Sequence, residues 1–175
     1  GRKQMSIRNQ IGAALVFAAG TFCAAQIASA DHHAKSGTFE VITSGIADLK
    51  TVEFFDYSAT AGSAEGTSTI VASTGGPFIV GESSIYSGVI YAKKSAAGID
   101  LEGPGVTTDS SGDKWFWVAR RKAGDQETGG GGAGRQEIVG GTGKYEGITG
   151  SCEYKIDYLA GNRIIAQTSC EWEGN

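Results

Sequence analysis

Two of the chain's three cysteines, Cys152 and Cys170, lie near the ends of the segment SCEYKIDYLAGNRIIAQTSC. Paired cysteines bind metals, act as catalytic thiols or form disulfides. A zinc site needs further ligands nearby, and the only histidines of the chain are His32 and His33. A catalytic thiol needs a base to activate it, and no histidine follows Cys152. The pattern therefore predicts a disulfide.

The spacing of the two cysteines also predicts a strand register. Gly161 and Asn162 mark a turn between two strand-like segments. Because side chains alternate along a strand, a hairpin centred on Gly161 brings the cysteines opposite each other and gathers the apolar residues on their side. The expected cross-strand pairs are Cys152 with Cys170, Tyr154 with Thr168, Ile156 with Ala166, and Tyr158 with Ile164.

A second set of residues, which could bind a metal ion, follows the apolar N-terminal segment. Cleavage after Ala30 would leave Asp31, His32 and His33 at a new N-terminus. A free amine, two backbone amide nitrogens and the imidazole of His33 are the donors of a square-planar Cu(II) or Ni(II) site. The alternative is a pair of unstructured histidines without metal, and we expect no metal and no cofactor in the fold itself.

Two carboxylates alternate with aromatic residues in the segment TVEFFDY. On a strand, Glu53 would share a face with Phe55 and Tyr57, and Asp56 would share the other face with Phe54. A carboxyl group buried among aromatic rings has a raised pKa and can act as an acid or base in catalysis. The alternative is a solvated carboxylate at the edge of the sheet. Glu53 and Asp56 are the catalytic candidates.

The segment KWFWVARR is apolar on both faces. Trp115 and Trp117 share one face, and Phe116 and Val118 share the other. We expect one face to fill the interior of the fold and the other to meet another surface, such as a partner subunit or a loop.

The segments that carry these residues are predicted to be strands separated by turns, and none of them has the pattern of a long helix. The expected strands cover 37–43, 50–59, 65–73, 83–94, 98–109, 114–122 and the two arms of the closing hairpin, and residues 135–150 lead into that hairpin. About eight short strands at regular intervals predict an all-β antiparallel β-barrel. The Gly-rich segment Ala123–Gly134 is expected to be a long loop, either slack or a lid over one barrel mouth.

The N-terminal segment predicts export. Residues 5–30 have a basic start, an apolar stretch and Ala-Ser-Ala before Asp31, the pattern of a cleavable signal peptide. We therefore expect a leader over 1–30, a single barrel domain over 31–175, no membrane anchor in the mature form, and a periplasmic or secreted location. All 19 acidic residues and 12 of the 15 basic residues follow residue 30, which gives a net charge of −7. So acidic a protein is not expected to bind nucleic acid.

Two segments carry a family resemblance: GVTTDSSGDKWFW and VGGTGKYEGITGSCEYKI. Over roughly 81–172 the chain resembles exported bacterial members of the allene oxide cyclase and dirigent barrel group, which are calycin-like proteins. The resemblance implies an eight-stranded antiparallel barrel with a cavity, and a homo-oligomer, either a dimer or a trimer. No catalytic residue is carried over, because the catalytic residues of the cyclases cannot be assigned to positions of this sequence, and a shared fold does not determine a reaction.

Taken together, the sequence predicts a barrel that binds an apolar or aromatic small molecule in its lumen. The expected lining residues are Phe55, Tyr57, Tyr91, Trp115, Trp117, Tyr154 and Tyr158. One alternative is a cofactor-free isomerase or cyclase that uses Glu53 or Asp56. Another is a structural or interaction protein with a filled lumen, because barrels of this size either hold one small ligand or are filled by their own side chains.

Overall fold

The computed structural model describes residues 34–122 and 132–175. Within them, eight strands and one 3-10 turn follow one another: β1 (Ser36–Glu53), β2 (Tyr57–Ser73), β3 (Ser83–Ser95), β4 (Gly98–Asp109), β5 (Lys114–Arg121), β6 (Gly132–Gly141), the 3-10 turn Gly143–Tyr145, β7 (Thr149–Leu159) and β8 (Arg163–Glu173). Each strand pairs antiparallel with its neighbours in the sequence, and β1 also pairs with β8. The sheet thus closes on itself, which confirms the predicted all-β antiparallel barrel.

Alternation along each strand divides the side chains between the lumen and solvent. In β8, Ile164, Thr168, Cys170 and Trp172 are buried, and the odd-numbered residues between them are exposed. This period of two is what a sheet with one dry face requires. Closure satisfies the backbone hydrogen bonds that the outer strands of an open sheet would leave unpaired.

The closing hairpin has the predicted register. β7 and β8 pair Cys152 with Cys170, and the pairing continues through Tyr154 with Thr168 to Tyr158 with Ile164. The two sulfurs form a disulfide, and the Cα atoms of the cysteines are 4.0 Å apart. Such a short separation is typical of a narrow, non-hydrogen-bonded antiparallel pair. The disulfide and the register of the last two strands are both confirmed.

The predicted strand over 50–59 is wrong, because the chain reverses within it. β1 continues through Gly45 to Glu53, residues 54–56 form a turn, and β2 begins at Tyr57. The backbone N–H of Phe54 donates to the carbonyl of Tyr57 at 2.8 Å, and their rings stack with centroids 4.5 Å apart. Glu53, Phe55 and Tyr57 therefore do not share one face of a strand.

The Gly-rich segment is not entirely a loop. β6 begins at Gly132, so the expected loop over 123–134 ends before this residue. Gly132 and Gly134 are buried strand residues, and a Cβ on Gly134 would collide with the ring of Tyr154. Glycine is required there because the two strands bring an aromatic ring against the backbone. The lid expected from residues 123–131 lies outside the described residues.

Three other expectations also lie outside the described residues: the leader over 1–30, its cleavage site, and the metal-binding candidates His32 and His33. Where the structure is described, no helix has the length and apolar character needed to cross a membrane.

One end of the barrel, here called the plugged end, is filled by aromatic rings. It carries the β2–β3 loop, the β4–β5 turn and the 3-10 turn. Phe78, from the β2–β3 loop, is fully buried, and its ring stacks on that of Phe39 with centroids 3.7 Å apart. Trp115, Tyr145 and Trp172 surround it at centroid distances of 5.4 to 5.9 Å. A loop residue thus completes the largest part of the core.

The opposite end, here called the cavity end, carries the turns at 54–56, 96–97 and 160–162. Its buried core is a smaller cluster of Ala47, Ala64, Tyr86 and Ile164, against which partly buried apolar residues pack. Some of the inward positions there are small, such as Ala47 and Ala64, and the strands leave part of the enclosed space unfilled.

Candidate functional site

A cavity of about 110 Å³ occupies the lumen between the plug and the cavity end. All eight strands contribute to its wall. The lining residues are Val41, Thr43, Ala64, Ser68, Tyr86, Gly88, Ile90, Leu101, Gly103, Thr107, Trp115, Trp117, Ala119, Gln136, Tyr154, Ile156, Tyr158, Ile164, Ala166 and Thr168. None of these side chains carries a formal charge. We call this space the lumen cavity.

The cavity wall is built from aromatic rings that lie against glycines. The indole of Trp117 packs on Gly105 of β4, where a Cβ would collide with it, and its edge reaches Gly88 of β3. The ring of Tyr154 covers Gly134 in the same way. Each large ring thus lies flat on a neighbouring strand and leaves the centre of the barrel free.

Two pairs of polar side chains in the wall of the lumen cavity are hydrogen-bonded to each other. The indole N–H of Trp117 donates to Oγ1 of Thr107 at 3.0 Å. The hydroxyl oxygens of Thr43 and Ser68 lie 3.0 Å apart. These pairings satisfy groups that would otherwise be costly to bury.

The hydroxyl of Tyr86 is different, because it has no hydrogen-bond partner among the described residues. Tyr86 is 6% exposed, and its hydroxyl lies over Gly45, where a side chain would collide with it. Burial, and secondarily the nearby charge of Glu65, raise the pKa of Tyr86 to about 12. The phenol therefore stays protonated and keeps a hydrogen to donate at any physiological pH.

The structure brings four of the seven expected lining residues together. Trp115, Trp117, Tyr154 and Tyr158 all line the lumen cavity. Trp115 also belongs to the plug, and the guanidinium carbon of the buried Arg121 lies 5.9 Å from the centre of the Tyr154 ring.

The other three expected lining residues lie elsewhere. Phe55 is fully exposed in the β1–β2 turn, and Tyr91 is 57% exposed on the outer face of β3. Tyr57 stacks on Phe54, and Nζ of Lys93 lies 4.3 Å from the centre of its ring. Their expected place in the lumen is wrong because the β1–β2 turn removes Phe55 and Tyr57 from the wall, and because even-numbered residues of β3 face inward.

The catalytic candidates Glu53 and Asp56 are both exposed, and neither lines the lumen cavity. Glu53 is the last residue of β1 and Asp56 belongs to the turn that follows. The buried carboxylate that an acid–base mechanism would use is therefore not formed by these two residues. Their placement matches the alternative of solvated carboxylates at the barrel edge.

Sequence reasoning missed Tyr86, although its signal is present in the segment SSIYSGVIYAKK. One face of this strand carries Tyr86, Gly88 and Ile90, and the other face carries Ile85, Val89 and Tyr91. Both sets are apolar, so hydrophobicity alone does not select the inner one. The small Gly88 is the informative residue, because a lumen that holds large rings on one strand needs glycine on the next.

A polar cluster lies at the plugged end, away from the lumen cavity. Nζ of Lys144 lies 2.7 Å from both carboxylate oxygens of Glu82 and 2.9 Å from Oδ2 of Asp109. Oδ1 of Asp109 accepts hydrogen bonds from the backbone and side chain of Ser111 and from the backbone of Asp113. Burial opposes ionisation of Asp109, but these hydrogen bonds and Lys144 lower its pKa to about 2.

This cluster ties three connections together over the plug. Glu82 belongs to the β2–β3 loop, Asp109 begins the β4–β5 turn, and Lys144 lies in the 3-10 turn. Burial, and then the charges of Glu82 and Asp109, raise the pKa of the adjacent Tyr145. The arrangement is structural, since each charge has an opposite partner.

The described residues contain no group of three or more His, Cys, Asp and Glu side chains that could hold a metal ion. A larger groove of about 750 Å³ lies on the outer wall, and Glu40, Glu137, Glu153 and Glu171 are exposed along it. It is acidic, and none of the described residues that line it has a buried side-chain polar atom without a hydrogen-bond partner. The lumen cavity is thus the stronger candidate site.

Comparison with known proteins adds no identity to this geometry. No family model, no curated protein and no solved structure matches the chain.

Proposed function

We propose that this barrel binds a small apolar or aromatic molecule in the lumen cavity. The observation that carries the proposal is an uncharged cavity of about 110 Å³, walled by all eight strands and by the rings of Trp117 and Tyr154. Binding sites for small molecules are concave and mostly apolar, with a few polar groups that orient the ligand.

The size of the cavity limits the ligand. Sites for drug-sized ligands have volumes of about 300–1,000 Å³, whereas an engineered cavity of about 150 Å³ holds benzene. A lumen cavity of about 110 Å³ therefore limits the ligand to a compound of at most about one ring. This argues against a long acyl chain or a fused polycyclic ligand.

Binding is favoured over the two alternatives. A cofactor-free isomerase or cyclase would need an acid or base at the substrate, and among the described residues that line the lumen cavity there is no Asp, Glu or His. A barrel with a filled lumen would leave no such space, and here only the plugged end is filled. The expected likeness to the allene oxide cyclase and dirigent group stays a prediction, with which the eight-stranded barrel agrees.

The compartment and the assembly complete the proposal. The Cys152–Cys170 disulfide fits an oxidising compartment, and we place the mature protein in the periplasm or outside the cell. We also expect a homo-oligomer, either a dimer or a trimer. The outer face of β3–β5 supports this, because Val89, Tyr91 and Phe116 are 39 to 58% exposed there. Exposed apolar patches mark interaction surfaces.

Two measurements test the proposed ligand site. Native mass spectrometry of protein purified from its own cells should show a bound compound of low mass. In parallel, titration with ethylbenzene and with acetophenone should change the fluorescence of Trp115 and Trp117, which line the lumen cavity.

A cavity-filling variant locates the binding. Ala166→Phe puts a ring into the lumen cavity and should abolish both the fluorescence change and the co-purified mass. Ala61→Phe is the matched control, because Ala61 is exposed on the outer face of β2. The proposal fails if neither probe binds and no compound co-purifies, or if Ala166→Phe binds the probes as the wild type does.

The oligomeric state has its own test. Size-exclusion chromatography with light scattering should give a dimer or trimer for the wild type, and a smaller species for the double variant Val89→Glu/Phe116→Glu. A wild-type monomer would contradict the expected assembly and leave the ligand site unaffected.

A further inference from the structure

The lumen cavity contains one hydrogen-bond donor whose partner is missing. The Tyr86 hydroxyl is shielded from solvent and has no acceptor among the described residues. Native proteins pair nearly all such groups, so an unpaired one needs an explanation. The indole N–H of Trp117, another residue of the cavity wall, already donates to Thr107.

We propose that the lumen cavity selects neutral, single-ring carbonyl compounds, with the Tyr86 hydroxyl donating to the carbonyl oxygen. The inference rests on the proposed function and adds to it the size, charge and polarity of the ligand. It requires the phenol, which lies over Gly45, to turn toward the lumen when the ligand enters.

The expected polarity of the ligand follows from the Tyr86 hydroxyl, which is a hydrogen-bond donor. A ketone or aldehyde accepts a hydrogen bond and donates none, so it satisfies Tyr86 without adding a second buried group that needs a partner. A pure hydrocarbon would fill the same space but would leave the hydroxyl unpaired. The site should therefore prefer the carbonyl compound over a hydrocarbon of the same shape.

The expected charge of the ligand follows from the uncharged residues of the cavity wall. None of the described residues that line the lumen cavity is Lys, Arg, Asp, Glu or His. A buried charge without a partner is strongly disfavoured. The buried Arg121 is not one of the residues that line the lumen cavity: its guanidinium carbon lies 5.9 Å from the centre of the Tyr154 ring, and its Nη2 donates to the carbonyl of Gly132. Aromatic carboxylates of the same size should be excluded.

The test compares three probes of one shape: acetophenone, ethylbenzene and benzoate. Calorimetry or Trp fluorescence should show that the wild type binds acetophenone roughly five- to tenfold more tightly than ethylbenzene, the ratio that one hydrogen bond gives. In Tyr86→Phe the ratio should fall to about one, with ethylbenzene affinity unchanged. Benzoate should not bind measurably to either.

Tyr91→Phe is the matched control, because it removes a tyrosine hydroxyl from the outer face of the same strand. It should keep the wild-type ratio, and circular dichroism should show all variants folded. Equal affinities for acetophenone and ethylbenzene in the wild type, or an unchanged ratio in Tyr86→Phe, overturn the inference and leave the proposed function standing. Tight binding of benzoate also overturns it. Binding of neither neutral probe overturns the inference, and it overturns the proposed function as well if no compound co-purifies with the protein.

Discussion

The plugged end and the cavity end of the barrel use the same alternating strands but fill them differently. At the plugged end the inward positions hold Phe39, Trp115 and Trp172, and the β2–β3 loop adds Phe78. At the cavity end they hold small residues such as Ala47 and Ala64, with rings laid flat on glycines.

If the proposed function is correct, stability depends mainly on one half of the lumen and ligand binding on the other. The plug, the disulfide and the Lys144 cluster all lie on the plugged side. Changes there should affect the free energy of unfolding, and changes at the cavity end should affect ligand affinity. The predictions below test that division, beginning with the largest expected effect.

Removal of the central ring of the plug should have the greatest effect. Phe78→Ala should lower the free energy of unfolding by about 3–5 kcal/mol, because the ring is fully buried among other aromatic rings. Phe55→Ala removes the same ring from an exposed turn at the cavity end and should change it by less than about 0.5 kcal/mol. Urea unfolding followed by Trp fluorescence measures both. Similar losses in the two variants would contradict the division.

Loss of the disulfide should come next. The double variant Cys152→Ala/Cys170→Ala should lose about 3 kcal/mol, because the bridge closes a loop of 18 residues. Reductant should destabilise the wild type by a similar amount and leave the double variant unchanged, while probe binding persists in folded protein. Free thiols in correctly exported protein, found by mass mapping after non-reducing digestion, would refute the bridge.

The buried carboxylate of the plugged end should make stability depend on acid pH. The pKa of Asp109 is about 2 in the folded state against an ordinary 3.8. A lowered pKa stabilises the fold above the ordinary pKa, and the gain is lost as pH falls from about 4 to 2. Asp109 should thus contribute about 2 kcal/mol at neutral pH.

Asp109→Asn is the variant that isolates this contribution. Its unfolding free energy should be lower at pH 7 and should change less than that of the wild type between pH 4 and pH 2. Glu146→Gln, at an exposed position just after the 3-10 turn, is the control and should keep the wild-type slope. An unchanged slope in Asp109→Asn would show that other carboxylates govern acid unfolding.

The smallest effect should come from the unpaired phenol. Tyr86→Phe should change the free energy of unfolding by less than about 0.5 kcal/mol, or raise it, because no hydrogen bond is lost. At the plugged end, Tyr145→Phe should lose about 1 kcal/mol, because it removes a buried hydroxyl close to the charge of Asp109. Thermal unfolding of the pair measures the contrast. A loss at Tyr86 equal to that at Tyr145 would mean that the phenol has a partner.

Local alternation was enough to predict most of the strands and the last hairpin, but not the reversal within 50–59 or the start of β6. The pairing of Cys152 with Cys170 followed from a turn at Gly161 and a period of two, which are properties of neighbouring residues. Trp115 and Trp117 were predicted to share the lumen face for the same reason.

The parts that depend on distant strands were not predictable in this way. Gly45 was not recognised as a strand residue, because the ring that needs it belongs to Tyr86, two strands away in the barrel. The plug was missed because Phe78 lies in a loop, where an aromatic residue shows no period. Tyr91 was preferred to Tyr86 because both faces of β3 are apolar, so only the shape of the closed lumen distinguishes them.

The unequal lengths of the strands have a consequence for how the protein avoids aggregation. The ladder between β1 and β8 ends at the pair Ile46 and Arg163, while β1 runs on to Glu53. After that pair, the backbone N–H of Ala47 donates to the carbonyl of Asn162. From there to Glu53, no described strand pairs with this edge of β1. Exposed Asp48, Lys50 and Glu53 lie along this overhang. Charged side chains on an unpaired strand edge oppose pairing with a strand of another molecule. The charges on this part of β1 should therefore reduce edge-to-edge aggregation.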